Sequence, residues 1–263
     1  MTLDQQRWSP PSAIAHRGSR LLWPENTLAS FSGAVEMGLR HLETDIRATS
    51  DGVIVCIHDS TVDRTTDGVG DVSSYTFEEL QNLDAGYRHA TSNGYEFRGN
   101  GSRVSSLEEV LNMFPDISLV VDMKEDGLTE AFTDVIERTN SHDRLIVGSF
   151  SDRRIELFRE ATSGKVATST GPTLTRMWVL ASRVGRGGGG EASALQVPTM
   201  IRGVRVVDEK LIDAAHNAGM QVHVWTVNDP DEMARLLDIG VDGLVTDRPD
   251  LLKKLLEERD EWV

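Results

Sequence analysis

Histidines, carboxylates and cations occur in this sequence at the points where short apolar runs end. The set comprises His16, Arg17, Glu43, Asp45, His58, Asp122, Lys124, Trp225 and Asp247. In a parallel α/β barrel, side chains at the carboxyl ends of several strands gather at one face, where they can act on a substrate. The sequence therefore predicts one polar site, built from residues that lie far apart along the chain.

Three of these residues are carboxylates that could share a cation. Glu43 and Asp45 are two apart in the run "HLETDI", so both point to the same face of a strand. Two such carboxylates repel each other unless a cation or a proton lies between them. With Asp122 as a third ligand and water, they suit one divalent metal ion, Mg²⁺ or Ca²⁺. The alternative is a structural ion-pair network with Arg17, Lys124 or Arg47.

Two histidines near these acids favour catalysis over a structural role. His16 and His58 could supply the base that activates an attacking oxygen and the acid that protonates a leaving oxygen. Arg17 and Lys124 add positive charge suited to a phosphate. Together these groups predict a site for a phosphodiester. Trp225 could be a core residue or could form a wall of the pocket, and the sequence leaves both open.

The elements that position these residues alternate between strand and helix patterns. Strands are predicted at 12–16, 41–46, 118–124, 144–150, 165–170, 194–198, 221–227 and 243–247. Helices are predicted at 25–38, 105–114, 127–139, 151–162, 173–183, 208–218, 229–239 and 249–260. Eight such units predict a TIM-type (β/α)8 barrel that forms a single domain over residues 1–263. Asn26 is predicted to cap the first helix, with Pro24 fixing its start.

One unit departs from the alternation. After the second strand, "SDG" predicts a hairpin turn, and the returning run ends at His58. Folding this run back on the strand would bring His58 to the level of Glu43 and Asp45. An insertion after strand two then spans about 60–104, with a short helix at 76–83, and is expected on the active-site face. The run "GRGGGG" (185–190) predicts a flexible loop.

Composition limits the classes of protein that this chain can belong to. The chain has 263 residues and a formal net charge of −15. That charge disfavours nucleic acid as a partner and also disfavours docking on anionic lipid. Cys56 is the only cysteine, the first residues lack an apolar signal segment, and no apolar run could span a membrane. We therefore expect a cytoplasmic protein with a small-molecule substrate and no stable membrane association.

Several motifs in a fixed order make the chain similar to a known family. The quoted stretches are "AHRGSRLLWPENTLASF", "LETDIRATSDGVIVCIHDSTVDRTTDGVGDV", "YTFEELQNLDAG", "SLEEVL" and "VHVWTVNDPDEMARLLDIGVDGLVTDRPDLL". They resemble the motifs of the glycerophosphodiester phosphodiesterases, which belong to the phospholipase-C-like phosphodiesterase barrels. The resemblance implies metal-dependent hydrolysis of glycerophosphodiesters to sn-glycerol 3-phosphate and an alcohol.

The same resemblance implies roles for individual residues. It assigns the metal to Glu43, Asp45 and Asp122, and the acid and base to His16 and His58. It assigns phosphate contacts to Arg17 and Lys124, and it places Trp225 against the substrate. The third metal ligand of the family is usually Glu, whereas this chain has the shorter Asp122, and residues 178–198 match no family pattern closely.

Two rival functions share the same residues. A related barrel, similar to phospholipase D or sphingomyelinase, would act on lysolipid head groups and would need an apolar mouth or a membrane-docking surface. A barrel that binds phosphodiesters without catalysis would be favoured by loss of a histidine or a metal acid. The sequence retains all of these residues, and it does not tell which histidine is the acid.

Overall fold

A computed structural model describes residues 3, 6–201 and 203–262. Its strands are β1 Ser12–Ala15, β2 His41–Ala48, β3 Ile54–Cys56, β4 Ser118–Met123, β5 Leu145–Gly148, β6 Ala167–Thr168, β7 Ala194–Pro198, β8 Met200–Ile201, β9 Val204–Arg205, β10 Gln221–Trp225 and β11 Gly243–Thr246. Its helices are α1 Leu28–Glu36, α2 Phe77–Gln81, α3 Leu107–Met113, α4 Thr129–Thr139, α5 Asp152–Ala161, α6 Pro172–Ser182, α7 Glu209–Asn217, α8 Pro230–Asp238 and α9 Pro249–Glu258.

Eight of the strands form a nearly closed parallel barrel. Their order is β6-β5-β4-β2-β1-β11-β10-β7, and each neighbouring pair is parallel. The remaining gap between β6 and β7 is bridged by Ser169 and Ala194, which pair in parallel. The predicted (β/α)8 barrel is confirmed. Its closure brings residues from distant parts of the chain to the same rim.

Alternation along the strands separates two apolar layers. Leu42, Leu119 and Val121 belong to the large outer core between the barrel and its helices. Ile14, Val120, Ile146 and Val245 belong to a smaller inner cluster, as does Trp8 from the segment before β1. Such layers arise because successive side chains of a strand point to opposite faces. The inner residues that follow toward the carboxyl ends of the strands are the polar ones.

The hairpin after β2 has the predicted placement. β3 pairs antiparallel with β2, with Ile46 opposite Cys56, and the Ile57 amide donates to the Asp45 carbonyl at 2.9 Å. His58 therefore returns to the level of Asp45. The insertion that follows contains α2 inside the predicted 76–83 helix and has its own apolar cluster (Val55, Ile57, Val62, Val72, Leu80, Ala85 and Val104).

Three local features differ from the sequence prediction. Helix α1 begins at Leu28 with Thr27 as its cap, not Asn26, because Asn26 has a left-handed backbone (φ 57°) and turns its side chain toward the site. The β8–β9 hairpin was not predicted. The loop at 185–190, which is predicted to be flexible, contacts α6. The Gly189 carbonyl accepts a hydrogen bond from Trp178 Nε1 at 3.0 Å. Within the described residues, no helix is long and apolar enough to cross a membrane.

Candidate active site

The ring of His16 lies at the end of β1, held by a carboxylate from the neighbouring strand. His16 Nδ1 lies 2.6 Å from Asp247 Oδ1, and Asp247 directly follows β11, the parallel neighbour of β1. Burial opposes ionisation of Asp247, but hydrogen bonds from His16, Asn228 and Arg20 outweigh it and lower its pKa to about 2. An ionised Asp247 accepts a hydrogen bond from the Nδ1–H of His16. Nε2 of His16 is thereby left as the nitrogen that can exchange a proton at the mouth.

The turn after His16 is strained and directs Arg17 into the site. Arg17, Gly18 and Ser19 all have left-handed backbones, and a Cβ at Gly18 would overlap the side chain of Ser30. The Arg17 amide donates to Glu43 Oε2 at 3.0 Å. Strain of this kind persists only where surrounding contacts hold it, and it is common at functional sites.

The guanidinium of Arg17 is held between two carboxylates. Its Nη1 donates to Glu25 Oε1 at 2.9 Å, and its Nε lies 3.1 Å from Asp45 Oδ2. Burial opposes the charge of Arg17, but Asp45, Glu25 and Glu43 outweigh it and raise its pKa. Arg17 is therefore a fixed cation at the mouth of the barrel.

The three carboxylates predicted to bind a metal lie on adjacent strands in matching register. Asp45 of β2 is directly opposite Asp122 of β4, and Lys124 Nζ contacts both, at 2.8 Å and 2.6 Å. Burial opposes ionisation of Asp45, but Lys124 and Arg17 outweigh it and lower its pKa. Burial raises the pKa of Asp122. The protein's own cations thus neutralise only part of this acidic cluster.

Glu43 is the least compensated of the three acids. Burial, followed by the negative charge of Asp45, raises the pKa of Glu43 to about 7. Among the described residues, Asp122 Oδ1 is buried without a hydrogen-bond partner. Two under-compensated buried carboxylates beside a third fit the oxygen ligands that a hard divalent cation requires. In the described part of the chain, no three His, Cys, Asp or Glu side chains are already gathered as a metal-binding group.

His58 is held by a second carboxylate, and it lies near Asp45 and Asp122, whereas His16 Nε2 lies 3.9 Å from Glu43 Oε2. Its Nδ1 lies 2.6 Å from Asp59 Oδ1. Arg64 connects this pair to the loop between β1 and α1. It donates to Asp59 Oδ2 at 2.5 Å and to both carboxylate oxygens of Glu25 at 2.7 and 2.8 Å. His58 lies near enough to Asp45 and Asp122 that its positive charge would favour ionisation of both.

An aromatic pair borders the site on the side of β5 and β10. The half-buried Trp225 meets the exposed Phe150 edge to face, with ring centroids 5.7 Å apart. Lys124 Nζ lies 5.4 Å from the centroid of the Phe150 ring. Phe150 therefore links Trp225 to one of the candidate phosphate-binding cations. Trp225 also packs against the inner apolar cluster, so its position is compatible with both of the roles predicted for it.

The structure brings all the predicted site residues to one rim, including Asp247, whose place there is predicted by its position at a strand end. It adds Asn228, Asp59, Arg64 and Phe150, and it gives site contacts to Glu25 and Asn26, which the sequence indicates first as residues of the helix start. Asn26 reaches the site through a left-handed backbone, with its amide donating to Asp45 Oδ2 at 3.2 Å. Arg47, one of the cations considered for the acids, instead pairs with Glu125 at 2.8 Å.

The chain is similar to several known proteins in sequence and in fold. Residues 16–251 match the model of the glycerophosphoryl diester phosphodiesterase family. A Mycobacterium tuberculosis protein named "probable glycerophosphodiester phosphodiesterase 2" is 36% identical over 99% of this chain and 96% of its own length. A glycerophosphodiester phosphodiesterase of Caldanaerobacter subterraneus subsp. tengcongensis is 32% identical over 93% of this chain and 97% of its own. The solved structure of an Oleispira antarctica phosphodiesterase with its product sn-glycerol-3-phosphate superposes with a TM-score of 0.77, at 26% identity, over 94% of this chain and 97% of that one.

Proposed function

The chain belongs to the glycerophosphoryl diester phosphodiesterase family, and from this premise we propose that it hydrolyses glycerophosphodiesters to sn-glycerol 3-phosphate and an alcohol. The observation that carries the proposal is the pair of carboxylate-held histidines, His16 and His58, beside a cluster of acids that are paired with Arg17 and Lys124. The product bound by the Oleispira antarctica relative supports the same reaction.

The two histidines would move the protons of the reaction. In each pair the Nδ1–H would donate a hydrogen bond to the carboxylate, which leaves Nε2 as the nitrogen that can exchange a proton. One Nε2 would take the proton from the oxygen that attacks phosphorus, and the other would give a proton to the leaving alcohol oxygen. A hydrogen-bonded carboxylate stabilises the charged imidazolium that forms in either step.

Arg17 and Lys124 would hold the phosphate. Both side chains are mostly buried and carry raised pKa values, because the nearby carboxylates outweigh the cost of burial. Fixed cations at the position where negative charge develops stabilise the transition state more than mobile surface charges do. The aromatic pair of Trp225 and Phe150 would cover the apolar part of the substrate beside Lys124.

One divalent cation, Mg²⁺ or Ca²⁺, would be held by Glu43, Asp45 and Asp122. The raised pKa values of Glu43 and Asp122, and the unpartnered Oδ1 of Asp122, support a deficit of positive charge at these acids. When bound, such an ion would withdraw electrons from the phosphate and stabilise its developing negative charge. Asp122 is one methylene shorter than the Glu usual in the family, so its reach to the ion depends more on water.

The proposal is tested by supplying deacylated and acylated substrates side by side. Glycerophosphocholine and lysophosphatidylcholine are incubated with the purified protein in Mg²⁺, in Ca²⁺ and in EDTA. We expect glycerol 3-phosphate from glycerophosphocholine, and loss of turnover in EDTA. Cleavage of lysophosphatidylcholine alone would indicate the lysolipid-type enzyme. Tight binding of glycerophosphocholine without turnover in any metal would indicate a binding protein.

A further inference from the structure

Exposed apolar side chains concentrate in one part of the surface. Half of the large apolar side chains exposed among the described residues lie between positions 177 and 204, namely Met177, Leu180, Val184, Met200, Ile201 and Val204. Three are on or just after α6, and three are on the β8–β9 hairpin. A concentration of this kind on a soluble protein usually marks an interaction surface. We refer to these six residues together as the apolar ridge.

The two parts of the apolar ridge are joined by Arg183. Its guanidinium pairs with Asp208 at 2.9 Å and donates to the Arg205 carbonyl at 3.2 Å. This contact brings the end of α6 against the second strand of the hairpin, so Val184 and Val204 flank the same junction. On α6, Trp178 and Ser182 are buried whereas Met177 and Leu180 are exposed, so the helix already uses its other face for the core.

The hairpin lies on the same side of the barrel as the active site. It starts at Met200, two residues after Pro198, and Pro198 is directly opposite Trp225 in the β7–β10 register. Trp225 borders the mouth, where it meets Phe150.

The segment of sequence that carries the ridge is rich in arginine, in a chain whose formal net charge is −15. Residues 172–207 contain five arginines and one acidic residue, Glu191, and Asp208 and Glu209 follow directly. Arg183 and Arg205 are partly neutralised by Asp208 and Glu232. Arg176 and Arg186 are exposed and make no ion pair within the described part of the chain. Charges more than about 8 Å away are largely screened at physiological salt, so Arg176 and Arg186 can attract an anionic surface in spite of the negative net charge of the molecule.

Although the net charge of −15 disfavours docking on anionic lipid, we propose that the local pattern of the apolar ridge docks this protein on an anionic phospholipid surface. Exposed aliphatic side chains bordered by arginines combine the two contributions that bind proteins at membrane interfaces, apolar burial and attraction to anionic head groups. Docking would hold the barrel mouth beside a membrane, and it needs no lipid to be the substrate.

The test measures vesicle binding of the full chain at about 0.15 M salt, close to the physiological value. The probes are vesicles of phosphatidylcholine alone and of equal parts phosphatidylcholine and phosphatidylglycerol, sedimented with the protein. We expect binding only to the second kind. None of the altered residues belongs to the catalytic site, so activity on a soluble phosphodiester reports whether each variant is folded.

Two pairs of variants separate the apolar and charged contributions. Met200→Ser with Val204→Ser removes hairpin side chains that are 51% and 65% exposed, and its matched control is Met113→Ser with Val69→Ser, which are 54% and 73% exposed. Arg176→Gln with Arg186→Gln removes the unpaired cations, and Arg40→Gln with Arg103→Gln controls for loss of charge.

We expect each ridge variant to raise the lipid concentration for half-maximal binding about tenfold or more, and each control to change it less than about twofold. Unchanged binding of either ridge variant, or equal binding to phosphatidylcholine alone, would overturn the proposal. A dimer in light scattering that the hairpin variant converts to a monomer would overturn it as well, because the ridge would then be covered by a second copy.

Discussion

The two histidines of the site have the same chemistry but differ in their support. Asp247, which holds His16, is fully buried and also accepts hydrogen bonds from Arg20 at 2.9 Å and Asn228 at 2.9 Å. Asp59, which holds His58, is 30% exposed and has Arg64 as its other partner. Water can replace a lost hydrogen bond at an exposed carboxylate more readily than at a buried one. The two pairs should therefore respond differently to the same substitution.

Asp247→Asn should lower kcat about 100-fold or more, because the amide no longer stabilises a protonated His16. Asp59→Asn, the matched change at the exposed pair, should lower kcat about tenfold. KM should change less than kcat in both variants, since neither carboxylate contacts substrate. The measurement is steady-state kinetics on glycerophosphocholine. If the two substitutions lower kcat equally, the expected difference between the buried Asp247 and the partly exposed Asp59 is wrong.

The acid and the base can be told apart by changing the leaving group. His16→Ala and His58→Ala should each lower turnover of a choline ester about 100-fold or more. A p-nitrophenyl ester leaves without protonation, so only the variant that lacks the base should remain impaired on it. The two substrates are compared for each variant. If both variants keep wild-type turnover on the choline ester, histidine acid/base catalysis is wrong.

At the scale of elements, Arg64 links the insertion to the site. Arg64 bridges Asp59 and Glu25, and Glu25 in turn contacts Arg17. Burial opposes ionisation of Glu25, but Arg64 and Arg17 outweigh it and lower its pKa. Through Arg64, the insertion therefore connects the segment around His58 with the loop between β1 and α1, and it holds both segments at the mouth.

Arg64→Gln should lower kcat/KM about tenfold or more, because His58 and Arg17 each lose part of their support. The melting temperature should change by no more than about 2 °C, since the side chain is half exposed. Arg103→Gln changes another exposed arginine of the insertion and should leave both quantities as they are. A fall in melting temperature with unchanged kinetics would show that Arg64 has only a structural role.

The sequence predicts the elements of this fold better than their ends. Alternation of strand and helix patterns predicts the eight barrel units, because each strand must carry buried residues and each helix an apolar stripe. It does not predict that β6 is reduced to Ala167–Thr168 or that Met200–Arg205 forms a hairpin. Those features depend on contacts between distant residues, such as the bridge from Ser169 to Ala194 and the Arg183 contact.

The same limit applies to the site. Residues at strand ends, such as Glu43 and Asp122, could be predicted because register aligns parallel strands. Residues that reach the mouth from loops are harder to predict, since nothing in the sequence assigns a role to Arg64 and the site contact of Asn26 depends on its left-handed backbone. The roles of Glu43, Asp45 and Asp122 as metal ligands stay a prediction, because Lys124 already neutralises part of their charge.

At the scale of the whole molecule, the end of the barrel opposite the mouth buries two imidazoles. Trp8 lies 4.7 Å from His41 and 5.8 Å from His223, measured between ring centroids. His223 Nδ1 is buried without a partner, so a proton there would have no acceptor within the described residues. Burial lowers the pKa of His41 to about 4 and that of His223 to about 3.

Stability should therefore fall as the pH drops below about 6.5, where the unfolded chain protonates both histidines and the folded chain does not. Each imidazole should lower the free energy of unfolding by about 2 kcal/mol between pH 6.5 and pH 5. In the variant His223→Gln, the melting temperature should fall by about 5 °C less over this range than in the unmodified protein. The same substitution at His142, a half-buried surface residue, should leave the fall unchanged. Scanning calorimetry between pH 5 and pH 6.5 measures these melting temperatures. If the melting temperature falls equally with pH in the unmodified protein and in both variants, the prediction is wrong.

The central claim, hydrolysis of a glycerophosphodiester by this barrel, is tested most directly by ³¹P NMR of glycerophosphocholine mixed with the purified protein. We predict that the diester resonance is replaced by that of glycerol 3-phosphate when Mg²⁺ or Ca²⁺ is present, and that it persists in EDTA and in the double variant His16→Ala with His58→Ala. Persistence of the diester with the unmodified protein in every metal, or appearance of phosphocholine in place of glycerol 3-phosphate, would contradict the account.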